Sequence, residues 1–84
     1  MDVRSCAEDC EREEQNFLHN IAWLRKYYGL SKKRMAEVLG IGAGTLNKIE
    51  NGEMPPRLGA GIFLRIYHNF GIRPSDLTGR RFTE

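Results

Sequence analysis

The sequence predicts an all-α fold, a compact bundle of about five helices. Apolar residues recur at intervals of three and four, and capping residues and glycines mark where helices start and stop. No segment shows the convincing apolar–polar alternation of a β-strand. A chain of 84 residues leaves room for one small domain only. A hydrophobic content of 40% is typical of a folded chain rather than a disordered one.

An apolar stripe at helical spacing predicts the first helix. The stripe consists of Phe17, Ile21, Leu24 and Tyr28. We expect Gly29 to end this helix, since glycine adopts the left-handed conformation found after a helix. Residues 1–16 form an acidic N-terminal segment, and we expect it either to extend the first helix or to fray from it.

The second helix is predicted to be short and to start with a cluster of positive charge. Ser31 is a favourable N-cap residue and Gly40 a favourable stop. The first turn consists of Lys32, Lys33 and Arg34. Three cations at a helix N-terminus oppose the helix dipole, so a nearby anion would relieve this arrangement.

The stretch from residue 40 to residue 52, GIGAGTLNKIENG, is rich in glycine and at first resembles a phosphate-binding loop. The pattern G-x-G-x-x-G fails because Thr45 stands at the last glycine, and no lysine follows at P-loop spacing. Both loops must also follow a strand, whereas the preceding residues have helical spacing. These glycines are therefore interpreted as turn residues between two short helices.

A third helix is predicted from about Ala43 to Glu50, because Asn51-Gly52 is a strong stop signal. Two short helices joined by a glycine-containing turn over residues 31–51 have the pattern of a helix-turn-helix.

Two more helices are predicted after a proline-containing link. Proline disfavours the helical conformation of the residue before it, so the link at residues 54–57 should be extended. The apolar positions of the fourth helix are Leu58, Ile62, Ile66 and Phe70. Pro74 suits the first position of a short fifth helix, and residues 79–84 are expected to form a tail.

Residues 30–52 resemble the lambda-repressor-like (Cro-type or XRE) family of helix-turn-helix proteins. The matching features are Leu30-Ser31, Met35-Ala36, Leu39-Gly40-Ile41, Thr45, Leu46 and the run Ile49-Glu50-Asn51-Gly52. The resemblance extends over about residues 17–78. It implies a five-helix domain that binds specific sequences of double-stranded DNA in transcriptional control, usually as a symmetric homodimer. The third helix would enter the major groove, and the second would lie across the backbone.

The resemblance implies that the exposed face of the third helix contacts bases. These residues are Ala43, Gly44, Thr45, Asn47 and Lys48. Asn47 can form two hydrogen bonds with adenine, and Lys48 can donate to guanine or to a phosphate. Ala43 and Gly44 stand where the family often has long polar side chains. We therefore expect less direct readout and more dependence on DNA shape.

Phosphate contacts are expected from four cations: Lys32, Lys33, Arg34 and Arg57. Lys32 stands where the family commonly has a glutamine that contacts phosphate. Lys33 is equally compatible with a position that faces solvent. Contacts of this kind set affinity and salt dependence rather than sequence preference.

The resemblance also implies a structural salt bridge between Arg25 of the first helix and Glu50 of the third. A carboxylate in the last turn of a helix opposes the dipole, so Glu50 requires a partner. We expect this pair to be at least partly buried and to stabilise the fold without contacting DNA.

The charge distribution is uneven. Residues 1–16 contain six acidic and two basic residues, a net charge of −4, and the remainder carries +6. A basic body favours a polyanionic partner such as DNA. The alternative is a protein-interaction module, or an antitoxin-like partner, with the same fold and little DNA specificity. Ala43-Gly44, the acidic segment and Glu53, which replaces a residue often basic in the family, favour this alternative.

Three aromatic residues lie partly off the apolar stripes: Trp23, Tyr27 and Tyr67. We expect them in the core or, alternatively, on a dimer surface together with Leu77 and Phe82.

The sequence predicts neither an enzyme nor a cofactor. Cys6, Cys10, His19 and His68 lack the spacing of a zinc site, and the serines suit helix caps and first turns better than a nucleophile–base pair. No apolar run is long enough for a signal peptide or a membrane span. We therefore expect a cytoplasmic protein whose thiols are reduced.

Overall fold

The computed structural model describes the backbone of residues 3–55 and 58–83 and the side chains of residues 11–55 and 58–83. Its helices are α1 (Val3–Tyr27), α2 (Lys32–Leu39), α3 (Ala43–Glu50), α4 (Gly61–Phe70) and α5 (Pro74–Gly79). No strand occurs in these residues, and the predicted all-α bundle of five helices is confirmed. The helix-turn-helix is formed by α2, α3 and the turn between them.

The core draws apolar side chains from every helix. They are Phe17, Leu18, Ile21, Leu24, Met35, Ala36, Leu39, Leu46, Ile49, Ile62, Ile66 and Leu77. Full burial of one such aliphatic or aromatic side chain contributes about 1.5–3 kcal/mol. Helix α1 packs against α3 and α5, and α2 packs against α3 and α4. Helix α3 is therefore held from two sides.

The turn between α2 and α3 requires a glycine at position 40. Gly40 has a φ of 71°, in the left-handed region. Its N–H donates to the carbonyl of Glu37 (3.2 Å), and the N–H of Ile41 donates to that of Ala36 (3.0 Å). A Cβ atom at Gly40 would lie 2.6 Å from Nε of Arg65. The left-handed backbone conformation therefore disfavours any larger residue, and a Cβ atom would also require the exposed side chain of Arg65 to move.

Helix α1 is longer than the apolar stripe that predicted it. Its 25 residues correspond to a length of about 37 Å at the α-helical rise, and the longest extent of the molecule is 41 Å. Residues 11–15 are all exposed, so this part of α1 lies outside the core. Tyr28, expected to complete the buried stripe, is exposed instead, because α1 ends at Tyr27 and the chain turns at Gly29.

Helix α4 begins later than the apolar spacing predicts. Leu58 precedes the helix and is half-buried, and the first helical residue is Gly61. Ala60 at the N-cap position has no polar side chain to satisfy the first backbone N–H groups. Glycines at positions 59 and 61 further weaken the start of the helix, and the apolar side chain of Leu58 packs against the core from outside the helix.

Two buried asparagines of α1 hold the end of α5 and the residues that follow it. Nδ2 of Asn16 donates to the carbonyl of Thr78 (2.9 Å). Nδ2 of Asn20 donates to the carbonyls of Leu77 (2.5 Å) and Arg80 (2.7 Å). Oδ1 of Asn20 accepts from the N–H of Phe82 (2.8 Å). Asn20, which is fully buried, thereby supplies partners for carbonyls that a helix C-terminus leaves unpaired.

Replacing Asn20 by alanine should lower the free energy of unfolding by about 2–3 kcal/mol, because it leaves polar backbone groups unpaired in a largely buried place. Urea denaturation measures this loss. The control is Gln15→Ala, which removes an amide from the exposed face of the same helix and should change stability by less than about 0.5 kcal/mol. Equal stability of both variants would contradict the assigned role of Asn20.

Candidate nucleic-acid interface

Helix α3 has one buried face and one exposed face. Leu46 and Ile49 are 0% and 1% exposed, whereas Asn47 and Lys48 between them are both exposed. With 3.6 residues per turn, side chains at positions 43, 44, 47 and 48 share the side opposite the buried pair. Ala43 and Gly44 are accordingly exposed, and Thr45 is half-buried at the edge. The residues expected to contact bases thus form one continuous outer surface with Thr45 at its border.

The start of this surface is bare backbone. Gly42 occupies the N-cap position of α3 and has no side chain that could satisfy the first N–H groups. No described atom beyond the helix's own backbone and chain neighbours lies within 4 Å of a Cβ built on Gly44. Packing therefore does not require a glycine at position 44. What the glycine provides is unobstructed access to the backbone of the first turn.

Replacing Gly44 by alanine should stabilise the domain by about 0.5–1 kcal/mol, because alanine has the higher helix propensity and the site has room for its methyl group. Thermal unfolding measures the change. A loss of stability would contradict the open surroundings of Gly44. Gly40→Ala, made in parallel at a left-handed position, should be destabilising.

The first turn of α2 carries three cations, and one of them, Lys32, contacts α3. All three side chains are exposed: Lys32, Lys33 and Arg34. Lys33 therefore faces solvent in the free protein, which was one of its two expected positions. Ser31 caps the helix, since its Oγ accepts from the N–H of Arg34 (3.1 Å). Nη1 of Arg34 lies 3.3 Å from Oε2 of Glu37, an exposed pair that contributes little to stability. Arg57, the fourth expected phosphate contact, lies outside the described residues.

A hydrogen bond joins α2 to the outer surface of α3. Nζ of Lys32 donates to Oδ1 of Asn47 over 3.2 Å. The sequence predicts a phosphate contact for Lys32 and a base contact for Asn47, but it does not predict that the two side chains meet. Two residues that lie 15 positions apart on different helices produce no pattern in the local sequence. Their contact results from the packing of α2 against α3.

Arg25 and Glu50 form the expected ion pair between α1 and the last turn of α3. Nη2 of Arg25 lies 2.8 Å from Oε1 of Glu50, and Nε lies 2.9 Å from Oε2. The two side chains are only 19% and 10% exposed. Nη1 of Arg25 also donates to the carbonyl of Leu30 (3.1 Å), one residue before the N-cap of α2. One guanidinium thus connects α1, the end of α3 and the start of α2.

The exposure of several aromatic and apolar side chains differs from the sequence-based expectation. Tyr27 and Tyr67 are 60% and 50% exposed, so the expectation that they belong to the core is wrong. Trp23 is half-buried, and its ring stacks on that of Tyr27 with centroids 4.6 Å apart. Leu77 is fully buried and therefore cannot contribute to a dimer surface.

Comparison with known families agrees with this arrangement. A family model described as a helix-turn-helix domain matches residues 19–78, most of the chain. The chain belongs to this helix-turn-helix family. The resemblance to XRE-like proteins is confirmed, and a domain of this type indicates a DNA-binding function of the kind found in transcription regulators. Searches of curated proteins and of solved structures give no match.

Among the described residues, no helix combines the length and apolarity needed to cross a membrane. The side chains described from residue 11 onward contain no group of three or more His, Cys, Asp or Glu that could hold a metal ion. The side chains of Cys6 and Cys10 lie outside that range.

Replacing Arg25 by alanine should lower the free energy of unfolding by about 2–4 kcal/mol. The estimate lies slightly below that for a fully buried pair, because water reaches part of the side chains. Chemical denaturation of Arg25→Ala, Glu50→Ala and the double variant forms a double-mutant cycle.

The expected result of this cycle is a double variant that loses less stability than the two single variants together. Arg25→Lys should recover only part of the loss, since an ammonium cannot reproduce the two parallel hydrogen bonds. Additive losses would show that the two side chains act independently and would contradict the pairing.

Proposed function

We propose that this protein is a repressor-like transcription regulator that binds specific sequences of double-stranded DNA with α3 in the major groove. The observation that carries the proposal is the exposed face of α3, which includes Asn47 and Lys48 and which contacts the cationic first turn of α2 through the hydrogen bond between Lys32 and Asn47. An α-helix fits the major groove, where each base pair displays a distinct pattern of donors and acceptors. Family membership supports the same mode of binding.

Base recognition is assigned to few side chains. Asn47 and Lys48 supply the long polar groups of the exposed face, and Thr45 supplies a hydroxyl and a methyl group at its edge. Ala43 offers only a methyl group, which suits the methyl of thymine. Gly44 lets the backbone come close to the DNA. Specificity then depends on a small number of hydrogen bonds together with DNA shape.

Phosphate binding is assigned to the first turn of α2. Lys32, Lys33 and Arg34 share one turn at a helix N-terminus, where backbone N–H groups and the helix dipole also favour an anion. A phosphate oxygen would offset the mutual repulsion of the three side chains. The same role is proposed for Arg57 from its sequence position.

The protein is further proposed to bind DNA as a symmetric homodimer in the cytoplasm. The domain is small, and two copies would read two half-sites about one helical turn of DNA apart. Tyr27 and Tyr67 are exposed aromatic side chains and are candidates for the contact with a second copy, since aromatic residues are enriched at protein interfaces.

A titration of labelled random duplex DNA, followed by fluorescence anisotropy at rising salt, tests the proposal. We expect binding at low salt that weakens as salt increases. Lys33→Ala and Arg34→Ala should each lower affinity for all sequences and reduce the salt slope by about 1. The control is Arg73→Ala, an equal charge change at the N-cap of α5, the helix that packs against α1. Failure of the wild-type protein to bind duplex DNA at low salt would contradict the proposal.

The second candidate function is a protein-interaction module or antitoxin-like partner. Exposed apolar side chains favour it: Leu64 is 62% exposed and Tyr27 60%. The acidic residues of the exposed part of α1 would suit a basic protein partner. A stoichiometric complex with a protein, combined with no affinity for duplex DNA, would identify this function in place of the first.

A further inference from the structure

The hydrogen bond between Lys32 and Asn47 fixes which atoms of Asn47 are free. A lysine ammonium has three donors and no acceptor, so it must face the oxygen of the carboxamide rather than the nitrogen. Nζ lies 3.2 Å from Oδ1 in this arrangement. Both hydrogens of Nδ2 are available to donate, and one of the two lone pairs of Oδ1 accepts from a positively charged donor.

This orientation changes the base that Asn47 is suited to read. Recognition of adenine requires Oδ1 to accept from the N6 amino group while Nδ2 donates to N7. With the ammonium at Oδ1, acceptance from a second donor is disfavoured by the adjacent charge, and Asn47 acts as a donor. The major-groove edge of guanine presents two acceptors, N7 and O6, and no donor.

The side chain that follows Asn47 is also a hydrogen-bond donor. Lys48, next to Asn47 on the exposed face of α3, also has donors only. The ammonium groups of Lys32 and Lys48 and the amide of Asn47 therefore form a surface that donates hydrogen bonds and carries positive charge. Such a surface matches guanine better than adenine.

We propose that Lys32 is a specificity-determining residue, which holds Asn47 as a hydrogen-bond donor and so directs it to guanine. The inference rests on the proposed DNA-binding function and refines the adenine contact that Asn47 was first expected to make. Because an ammonium has three hydrogens, Lys32 can still contact a phosphate while it orients Asn47. Its loss should therefore change which base is preferred as well as how tightly DNA is bound.

The test is selection of bound sequences from a random duplex pool at one fixed salt concentration, carried out with the wild-type protein and three variants. Asn47→Ala identifies the base pair that Asn47 contacts, because the preference at that pair is lost. Lys32→Met removes the ammonium and keeps an unbranched stem. Lys33→Met is the matched control, since it removes the same charge from the same exposed turn. Circular dichroism checks that each variant is folded.

We expect the wild-type protein to select guanine at the pair that Asn47 contacts. Lys32→Met should shift the guanine-to-adenine ratio there by about tenfold towards adenine, within the range that one base contact provides. Lys32→Gln, whose neutral amide leaves Asn47 free to turn, should shift the ratio in the same direction. Lys33→Met should weaken binding to all sequences and leave the ratio unchanged.

Selection of adenine by the wild-type protein would overturn the inference, as would a Lys32→Met variant whose affinity falls equally for all sequences with its base preference intact. Both results would leave DNA binding itself standing, with Lys32 as a phosphate contact. If the wild-type protein selects no duplex at all, the proposed function fails and the inference fails with it.

Discussion

The ion pair between Arg25 and Glu50 is the interaction on which the presentation of α3 depends. A carboxylate at the C-terminal end of a helix is unfavourable by itself, and here two parallel hydrogen bonds from one guanidinium compensate it. The same guanidinium reaches the carbonyl of Leu30 just before α2 begins. Since Leu46 and Ile49 of the same helix are buried in the core, rotation of α3 about its axis would disrupt both the core and the ion pair. The exposed face of α3 is therefore set by interactions on its opposite side.

The outer surface depends on few side chains, and its chemistry follows from their proximity. Positive charge is concentrated in the first turn of α2, whereas the beginning of α3 is nearly free of side chains at Gly42 and Gly44. This separation of charge on α2 from small residues on α3 suits a protein that binds DNA mainly through phosphates and recognises bases at one or two positions. The contact between Lys32 and Asn47 links these two proposed tasks, because the ammonium belongs to the turn proposed to bind phosphate and donates to the amide proposed to read bases.

Much of this architecture is predictable from local signals. Ser31 and Gly40 define α2, and Asn51-Gly52 ends α3, because capping and turn formation depend on residues close in sequence. The ion pair was predictable only through resemblance to a family. The roles of Asn16 and Asn20 were missed, because their partners lie in residues 77–82 and a buried asparagine has no sequence signal. Exposure of Tyr27 and Tyr67 was missed for a related reason, since helical spacing does not say where the neighbouring helix ends.

Nuclear magnetic resonance can show directly whether the exposed face of α3 and the first turn of α2 bind duplex DNA. Backbone and side-chain amide signals of the labelled protein are followed while random duplex DNA is added at low salt. The largest changes should fall on Lys32–Arg34, on Ala43–Lys48 and on the side-chain amide of Asn47. Changes centred on Tyr27 and Tyr67 with α3 unaffected, or no change at all, would contradict the account.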